Sequence, residues 1–337
     1  MPNILVIKLR YLGDVLLATP VFRALRERYP LARISAAVPR GTEDMLKWNP
    51  DINEVLVIER GSVREQIRFM RDLRHRHFDC VVDLTDGDRS AVLSRITGAP
   101  MRVGFNEEHR WRGLLYTTVV KSTPRAHRVE RDLQALRPLG FEPKSSPLVL
   151  RLSSADEADA ERLLSELGLW GTGDSRPLVM LQPGARYWFK AWPAERFAEL
   201  ADRLAEGLGS RVLVGGNAAE RDLAEKVCAK ARTQPVNLAG RTSLLVHAAV
   251  LKRCALFVGN DNGPMHMAAT VGTPVVALFG PSNPLEWGPR GEKTTVIYKG
   301  LDCRACFHPT CRRGEESCMK LISTDEVFAA ARQLLEK

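Results

Sequence analysis

The chain has 337 residues, of which 45% are hydrophobic and 26% charged, a composition typical of a globular protein and too apolar for a disordered one. No apolar run approaches membrane-spanning length and no secretory signal is readable, so we expect a cytoplasmic protein. The net charge of +9 divides into +7 for residues 1–150 (25 Lys and Arg against 18 Asp and Glu) and +2 for the rest (24 against 22), which predicts an anionic partner for the first half.

Strand-like and helical segments alternate through the first half of the chain. The predicted strands lie at 4–7, 34–38, 54–58, 80–84 and 119–120, and the clearest helical segments at 22–28 and 63–74. This alternation predicts a doubly wound parallel sheet with helices on its faces.

The second half begins after a helical segment at 155–167 and a turn-rich stretch at 171–177. It repeats the alternation, with strands at 178–182, 212–215, 236–238 and 274–281, and helices at 194–208, 218–231 and 244–252. We therefore expect an α/β protein of two Rossmann-like domains, 1–170 and 171–323, facing each other across a cleft.

The junction at residues 257–269 reads as a buried strand that ends in polar and glycine residues and turns into a helix. The first amides of such a helix can bind an anion, and Asp261, Gly263 and His266 fall there, which predicts a site for a nucleotide-linked phosphate. Taken alone, a helical histidine is more often a packed residue. Neither a dinucleotide fingerprint nor a Walker A motif occurs, so a dehydrogenase or P-loop nucleotidase has no support.

Asp14 follows the first strand and stands at the mouth of the predicted sheet. Gly13 permits a tight turn before it, and Thr19-Pro20 predicts a helix that begins beyond it. The carboxylate is then placed to accept a proton from a substrate hydroxyl, although an acid that only caps a helix fits the spacing as well.

The corresponding loop of the second half follows the strand at 178–182. Gly184 permits close backbone approach there, and Lys190 can place a positive charge on a phosphate. The alternative is an ordinary exposed lysine among aromatic residues that pack between the domains.

Four motifs occur in order: K-x-x-x-x-G-D-x-x-x-x-T-P at 8–20, P-G-A-x-x-x-x-K-x-W-P at 183–193, G-N-D-N-G-P-M-H at 259–266 and F-G-P-S-N-P-x-E-W-G-P at 279–289. Together they resemble the bacterial lipopolysaccharide (LPS) heptosyltransferases, glycosyltransferase family nine, over nearly the whole chain. The resemblance implies the GT-B architecture, an ADP-heptose donor bound mainly by the C-terminal domain, and inversion at the anomeric carbon without an essential metal. It also implies a lipid-anchored, phosphorylated core oligosaccharide as acceptor, reached by peripheral contact with the cytoplasmic face of the inner membrane, and a helix at 324–337 that returns to the first domain.

The resemblance also assigns roles to single residues. Asp14 matches the general base and Lys190 the lysine that contacts the donor phosphates. The candidate donor-binding residues are Gly184, Ala185, Glu220, Asp261, Asn262, Gly263 and His266, and the candidate acceptor-binding residues are Lys8, Arg10, Gly13 and Arg64. Asn262 departs from the Thr or Ser that is frequent in the family.

Inversion requires the acceptor hydroxyl to displace the diphosphate from the anomeric carbon. This reaction needs a base for the attacking hydroxyl and positive charge for the departing diphosphate, and Asp14 and Lys190 suit these tasks. If a helix dipole stabilises the Asp14 carboxylate, its pKa falls and proton transfer occurs late in the reaction.

The basic stretch at 60–76 places Arg64, Arg68 and Arg71 on one helical face and apolar residues on another. A phosphorylated acceptor or an anionic lipid can meet such a segment, and a solvated face over an ordinary core stripe is the alternative.

Four cysteines crowd the C-terminal region as Cys303, Cys306, Cys311 and Cys318. Four thiolates can bind a structural zinc, but the later spacings are less typical of zinc modules, and free buried thiols suit a reducing cytosol better.

Two alternatives to heptosyl transfer stay open at this point. The same scaffold can transfer another sugar from a nucleotide diphosphate. A basic nucleic-acid-binding protein with a four-cysteine metal site is the other, but the basic charge and the cysteines lie in different halves and no nucleic-acid module is recognisable, so we expect no nucleic-acid partner.

Overall fold

A computed structural model describes residues 1–59, 61–171, 173–301, 303, 306 and 310–336. The chain divides into two compact units, Met1–Arg151 and Leu152–Lys337. Each unit contains a six-stranded sheet in which all neighbouring strands are parallel. The predicted α/β class, with two doubly wound Rossmann-like domains, is confirmed.

The strands of the first unit are β1 Asn3–Ile7, β2 Arg33–Pro39, β3 Glu54–Ile58, β4 Cys80–Asp83, β5 Met101–Phe105 and β6 Thr118–Val120. Its helices are α1 Leu12–Leu17, α2 Thr19–Arg28, α3 Val63–His75, α4 Asp88–Thr97 and α5 Arg128–Gln134. The strands pair in the order β3-β2-β1-β4-β5-β6. The strand order reverses between β1 and β4, and ligands of doubly wound sheets bind beyond the carboxyl ends of the strands at such a point.

The strands of the second unit are β7 Leu178–Gln182, β8 Arg211–Val214, β9 Val236–Asn237, β10 Leu256–Asn260, β11 Val275–Phe279 and β12 Thr294–Tyr298. Its helices are α6 Ser154–Glu166, α7 Ala194–Leu208, α8 Arg221–Lys230, α9 Leu244–Arg253, α10 Gly263–Thr270, α11 Pro284–Trp287 and α12 Thr324–Leu335. The strand order is β12-β11-β10-β7-β8-β9, so here the reversal falls between β7 and β10.

The central strands form because both of their faces are buried. In β1, residues 4–7 are at most 1% exposed, and every residue of β7 and β10 is buried, as expected for apolar runs in parallel sheets. Strands β5 and β12 were not predicted from the sequence. β5 carries an arginine and a glycine that weaken its strand pattern, and β12 is a half-exposed edge strand.

The domain boundary differs from the predicted one. Helix α6 packs against α9, and Glu157 of α6 pairs with Lys252 (2.7 Å) and Arg253 (3.5 Å) of α9. The second unit therefore begins at Leu152 rather than at residue 171.

The C-terminal helix α12 also differs from its predicted position. It packs against α7, and its apolar residues Val327, Ala331 and Leu334 lie in the core of the second unit. It therefore belongs to the second unit, whereas the resemblance implied a helix on the first domain. In the ranges that the structure describes, no helix is long and apolar enough to cross a bilayer.

Candidate active site

Asp14 lies in the short helix that follows β1, at the carboxyl edge of the first sheet. Helix α1 begins at Leu12, so Asp14 and Gly13 both lie in its first turn. The predicted turn at Gly13 is therefore wrong, because Gly13 and Asp14 lie in a short helix that was not predicted. The helix predicted to begin at Thr19-Pro20 is confirmed as α2. The helix breaks after Leu17, and Thr19 opens α2 while its hydroxyl donates a hydrogen bond to the Leu16 carbonyl (2.8 Å).

The environment of Asp14 raises its pKa. The side chain is buried, and the loss of hydration outweighs the positive charges of Lys8, Arg128 and Arg10, which lower the pKa. The expected fall in pKa through a helix dipole is wrong, because α1 is short and burial dominates. A carboxylate with a raised pKa is a stronger base, so proton transfer from the acceptor can begin earlier in the reaction.

A buried network of charges beside Asp14 was not predicted. Lys8 is 3% exposed, and its ammonium group pairs with the carboxylate of Asp132 and donates a hydrogen bond to the Leu84 carbonyl (3.3 Å). Arg131 contacts Asp132 (3.4 Å) and pairs with Asp86 (3.2 Å). Lys8, Asp86 and Asp132 lie far apart in the sequence, and only the shared sheet edge brings them together. Lys8 acts on Asp14 through its charge, with its ammonium group already engaged.

The other acceptor candidates occupy different places. Arg10 is exposed at the same edge, where its guanidinium donates hydrogen bonds to the carbonyls of Thr85 (3.1 Å) and Asp86 (3.3 Å). Arg64 is exposed in the first turn of α3. Arg10 therefore lies near the base, and Arg64 lies on the helical layer of the unit.

In the second unit, Lys190 and Asp261 meet at the sheet edge. Lys190 ends a short 3-10 turn in the loop after β7, and Asp261 directly follows β10. Because β7 and β10 are parallel neighbours, their carboxyl ends are adjacent, and Lys190 Nζ lies 2.6 Å from Asp261 Oδ2. The structure therefore brings together two residues that the sequence placed at a phosphate site.

Two asparagines fix this edge. The side chain of Asn262 accepts a hydrogen bond from a backbone amide in the first turn of α10 (3.0 Å) and donates one to the Gly184 carbonyl (2.8 Å). Asn260 accepts from the Trp192 amide (3.1 Å) and donates to the Pro183 carbonyl (2.8 Å). Asn262 therefore caps the helix, and both residues tie the loop after β7 to β10. No role was predicted for Asn260, although it lies inside the motif at 259–266.

Glu220 lies over Gly184. Its carboxylate accepts a hydrogen bond from the Asn217 amide (2.9 Å) in a capping box, and a Cβ at Gly184 would lie 2.1 Å from Glu220 Oε1. The close approach predicted at Gly184 is therefore made by Glu220. Ala185 follows Gly184 at the loop surface, half-buried.

The remaining donor candidates open helix α10. Gly263 is its first residue, and His266 lies one turn further and is buried. The hydroxyl of Thr270 donates a hydrogen bond to the His266 carbonyl (2.7 Å). The structure thus places the predicted donor residues on loops after β7, β8 and β10, which are neighbours in the sheet.

Gln182 and His247 are polar residues behind these loops that the sequence analysis missed. A Cβ at Gly215, which follows β8, would lie 2.5 Å from Gln182 Oε1 and 3.0 Å from His247 Cε1. Burial lowers the pKa of His247 to about 4, so its ring is neutral at physiological pH. The sequence offers no signal for this pair, because each residue sits within an apolar segment.

Among the described residues, the four C-terminal cysteines form no disulfide, and they range from exposed Cys303 to buried Cys318. Burial, followed by the neighbouring thiols Cys311 and Cys303, raises the pKa of Cys306. Within the described residues, no group of three or more His, Cys, Asp or Glu side chains is placed to hold a metal ion. Zinc binding stays a prediction for metal analysis.

A candidate phosphate site at the carboxyl edge of one doubly wound sheet and a buried candidate base at the carboxyl edge of the other fit a glycosyltransferase of the GT-B fold. The model of glycosyltransferase family 9 (heptosyltransferase) matches residues 66–316. The chain belongs to this family, and the resemblance stated from the four motifs is confirmed.

Individual relatives are similar to this chain over nearly its full length. Lipopolysaccharide heptosyltransferase 3 of Escherichia coli K12 is 30% identical over 338 residues, which cover 97% of this chain and 96% of the relative. The solved structure of E. coli ADP-heptose LPS heptosyltransferase II has a TM-score of 0.81 and 26% identity, covering 99% and 98% of the two chains. A family 9 glycosyltransferase from Veillonella parvula has a TM-score of 0.86 and 26% identity, covering 99% and 97%.

Proposed function

We propose that this chain transfers a heptose from ADP-heptose to a hydroxyl group of the LPS inner core and inverts the anomeric carbon. Membership of the heptosyltransferase family favours this reaction over transfer of another sugar and over nucleic-acid binding. The structural observation that carries the donor half is the pairing of Lys190 with Asp261 beside the capped start of α10.

The donor diphosphate binds at the edge formed by β7 and β10. The Lys190 ammonium and the amides that open α10 supply positive charge where negative charge grows on the leaving group. Asp261 orients Lys190 before the donor arrives, and Glu220 and His266 contact the rest of the nucleotide sugar.

The acceptor hydroxyl is activated by Asp14. As the new bond between the hydroxyl oxygen and the anomeric carbon forms, the bond from that carbon to the diphosphate breaks on the opposite face. ADP departs with the electron pair, and Asp14 takes the hydroxyl proton. General base catalysis of this kind is typically worth roughly 10²- to 10⁴-fold in rate.

Lys190 and helix amides neutralise the leaving group, so transfer proceeds without a divalent cation, and EDTA-treated protein keeps its activity. The lipid-anchored acceptor places the enzyme at the cytoplasmic face of the inner membrane. Elemental analysis of the purified protein tests the remaining possibility of a structural zinc at the four cysteines.

In the deciding experiment, the protein is incubated with ADP-heptose and a panel of truncated core acceptors, and the masses of the products are measured by mass spectrometry. We expect one acceptor to gain a single heptose residue and ADP to be released. Other nucleotide sugars serve as controls, and transfer from one of them with an equal or higher kcat/KM would overturn the assignment of the donor.

A further inference from the structure

The helical layer on one face of the first sheet carries an uncovered apolar and basic surface. This docking face consists of exposed residues on α3, α4 and the 3-10 helix Trp111–Leu115. We propose that the docking face binds an anionic phospholipid bilayer. The inference rests on the proposed function, because only a lipid-anchored acceptor requires the enzyme to meet a membrane.

The three elements form one layer for a topological reason. They connect β3 to β4, β4 to β5 and β5 to β6, which are three steps in the same direction across the sheet. Right-handed crossovers in one direction place their connections on the same face of a sheet. Helix α4 packs against α3 on one side and against the 3-10 helix on the other.

Helix α3 has an apolar stripe that only its second half buries. Leu73 is buried and Met70 packs against the core, but Val63 and Ile67 on the same side of the helix are 72% and 53% exposed. An ordinary core stripe accounts for Met70 and leaves the first two turns of α3 unexplained. The core therefore buries only the C-terminal half of the apolar stripe of α3, and Val63 and Ile67 remain exposed.

The 3-10 helix extends this apolar surface. Leu114 is 87% exposed and Trp111 is half exposed, and Val92 of α4, between the two outer elements, is also exposed. Single exposed apolar residues are common in soluble proteins. Several of them on adjoining elements of one layer indicate a binding surface.

The charge of the docking face selects the occupant. Arg64, Arg68 and Arg71 are exposed along α3, and the described residues offer them no ion pair or hydrogen bond. By contrast, buried Arg112 and Arg131 of the same unit pair with carboxylates. Arginines beside exposed apolar side chains match a bilayer, in which phosphate groups lie above hydrocarbon.

The position of the docking face suits the proposed reaction. Helix α3 begins after the carboxyl end of β3, and the 3-10 helix follows the carboxyl end of β5, so Ile67 and Trp111 lie toward the same edge of the sheet as Asp14. A sugar anchored in the bilayer would then reach the edge that carries the base.

Vesicle co-sedimentation tests the proposal. Full-length protein is mixed with vesicles of phosphatidylglycerol and phosphatidylethanolamine, or of phosphatidylcholine alone. We expect binding to the anionic vesicles only. It should be weakened on the order of 100-fold in the variant Arg64→Gln/Arg68→Gln/Arg71→Gln, since each such charge contributes about fivefold to the affinity for an anionic surface. Ile67→Ser/Leu114→Ser should weaken the binding that persists at high salt.

A matched variant removes the same charge from another surface. Arg162→Gln/Lys226→Gln/Lys230→Gln changes three exposed cations of the second unit. It should bind vesicles as the unmodified protein does. Equal loss in both triple variants, or equal binding to phosphatidylcholine, would overturn the docking face.

A soluble, deacylated acceptor separates this proposal from the proposed function. With it, the variant Arg68→Gln/Arg71→Gln, which leaves the acceptor candidate Arg64 in place, should keep full transferase activity and lose activity only toward acceptor embedded in vesicles. Lost activity toward the soluble acceptor would show that the arginines bind acceptor phosphates and would overturn the bilayer assignment. Absence of heptose transfer by the unmodified protein would refute the proposed function. Vesicle co-sedimentation would still test the docking face, because it does not depend on transferase activity.

Discussion

Lys190 Nζ and Asp261 Oδ2 lie 2.6 Å apart although 71 positions separate the residues in the chain. The carboxylate holds the lysine at the edge of the second sheet, beside the start of α10. A pair of this kind gives a phosphate site a fixed cation, and it also leaves a negative charge behind if the cation is removed.

We expect Lys190→Ala to weaken ADP-heptose binding by about 10- to 100-fold, the range typical for a hydrogen bond between charged groups, and to lower kcat as well. Part of the loss comes from Asp261, whose uncompensated carboxylate would repel the diphosphate. The double variant Lys190→Ala/Asp261→Asn should therefore bind ADP better than Lys190→Ala does. Calorimetry with ADP measures both, and unchanged affinity in the single variant would remove Lys190 from the site.

We expect Asp14→Ala to lower kcat by roughly 10²- to 10⁴-fold, the usual contribution of a general base. Donor affinity should persist, because the donor residues lie in the other unit. Single-turnover transfer and calorimetry with ADP-heptose separate the two effects. Near-normal turnover would refute the assigned role.

The neutral variant Asp14→Asn should make the protein more stable at pH 7. Burial raises the folded-state pKa of Asp14 above 3.8, so the unfolded chain releases this proton first and stability falls as pH rises through that window. Asparagine removes the cost of burying the charge at nearly the same volume. Thermal melts should show a higher Tm at pH 7 that converges with the unmodified protein below pH 3.8. A lower Tm at pH 7 would contradict this account.

Gly184→Ala should displace the Glu220 carboxylate, because the new Cβ would lie 2.1 Å from Glu220 Oε1. Donor affinity should fall, while the fold persists because only a side-chain end must move. In a Glu220→Ala background the same substitution should cost less, and a double-mutant cycle measures this coupling. Additive effects would show that the two residues do not act together.

His247 should make the protein sensitive to mild acid. Its pKa falls from 6.5 to about 4 on folding, so the stability it contributes is complete above pH 6.5 and is lost as pH falls toward 4. From this group alone we expect about 2 kcal/mol less stability at pH 5 than at pH 7. Urea unfolding of His247→Gln at both pH values should show a smaller difference, and an unchanged difference would assign the acid sensitivity elsewhere.

The alternation of strands and helices was readable because local patterns produce it. Helix 194–208 and strand 178–182 were predicted with the bounds that the structure shows, since their apolar spacing is regular. Strand β5 was missed because its neighbours β4 and β6, rather than its own sequence, stabilise it. The packing of α6 and α12 on the second unit likewise depends on helix faces that contact other elements of that unit. Turn residues, from which the domain boundary was predicted, do not indicate which unit a helix packs against.

The sequence by itself determined the fold class, the family and the presence of acids and cations in the loops that end the strands, because these follow from local spacing and ordered motifs. Only the tertiary structure decided how those groups behave. Burial of Asp14, the network of Lys8 with Asp132, and the contact of Glu220 with Gly184 all join residues from distant parts of the chain. Proton affinity and close packing depend on the surroundings that the folded sheet edge creates, and neither is encoded in any single segment.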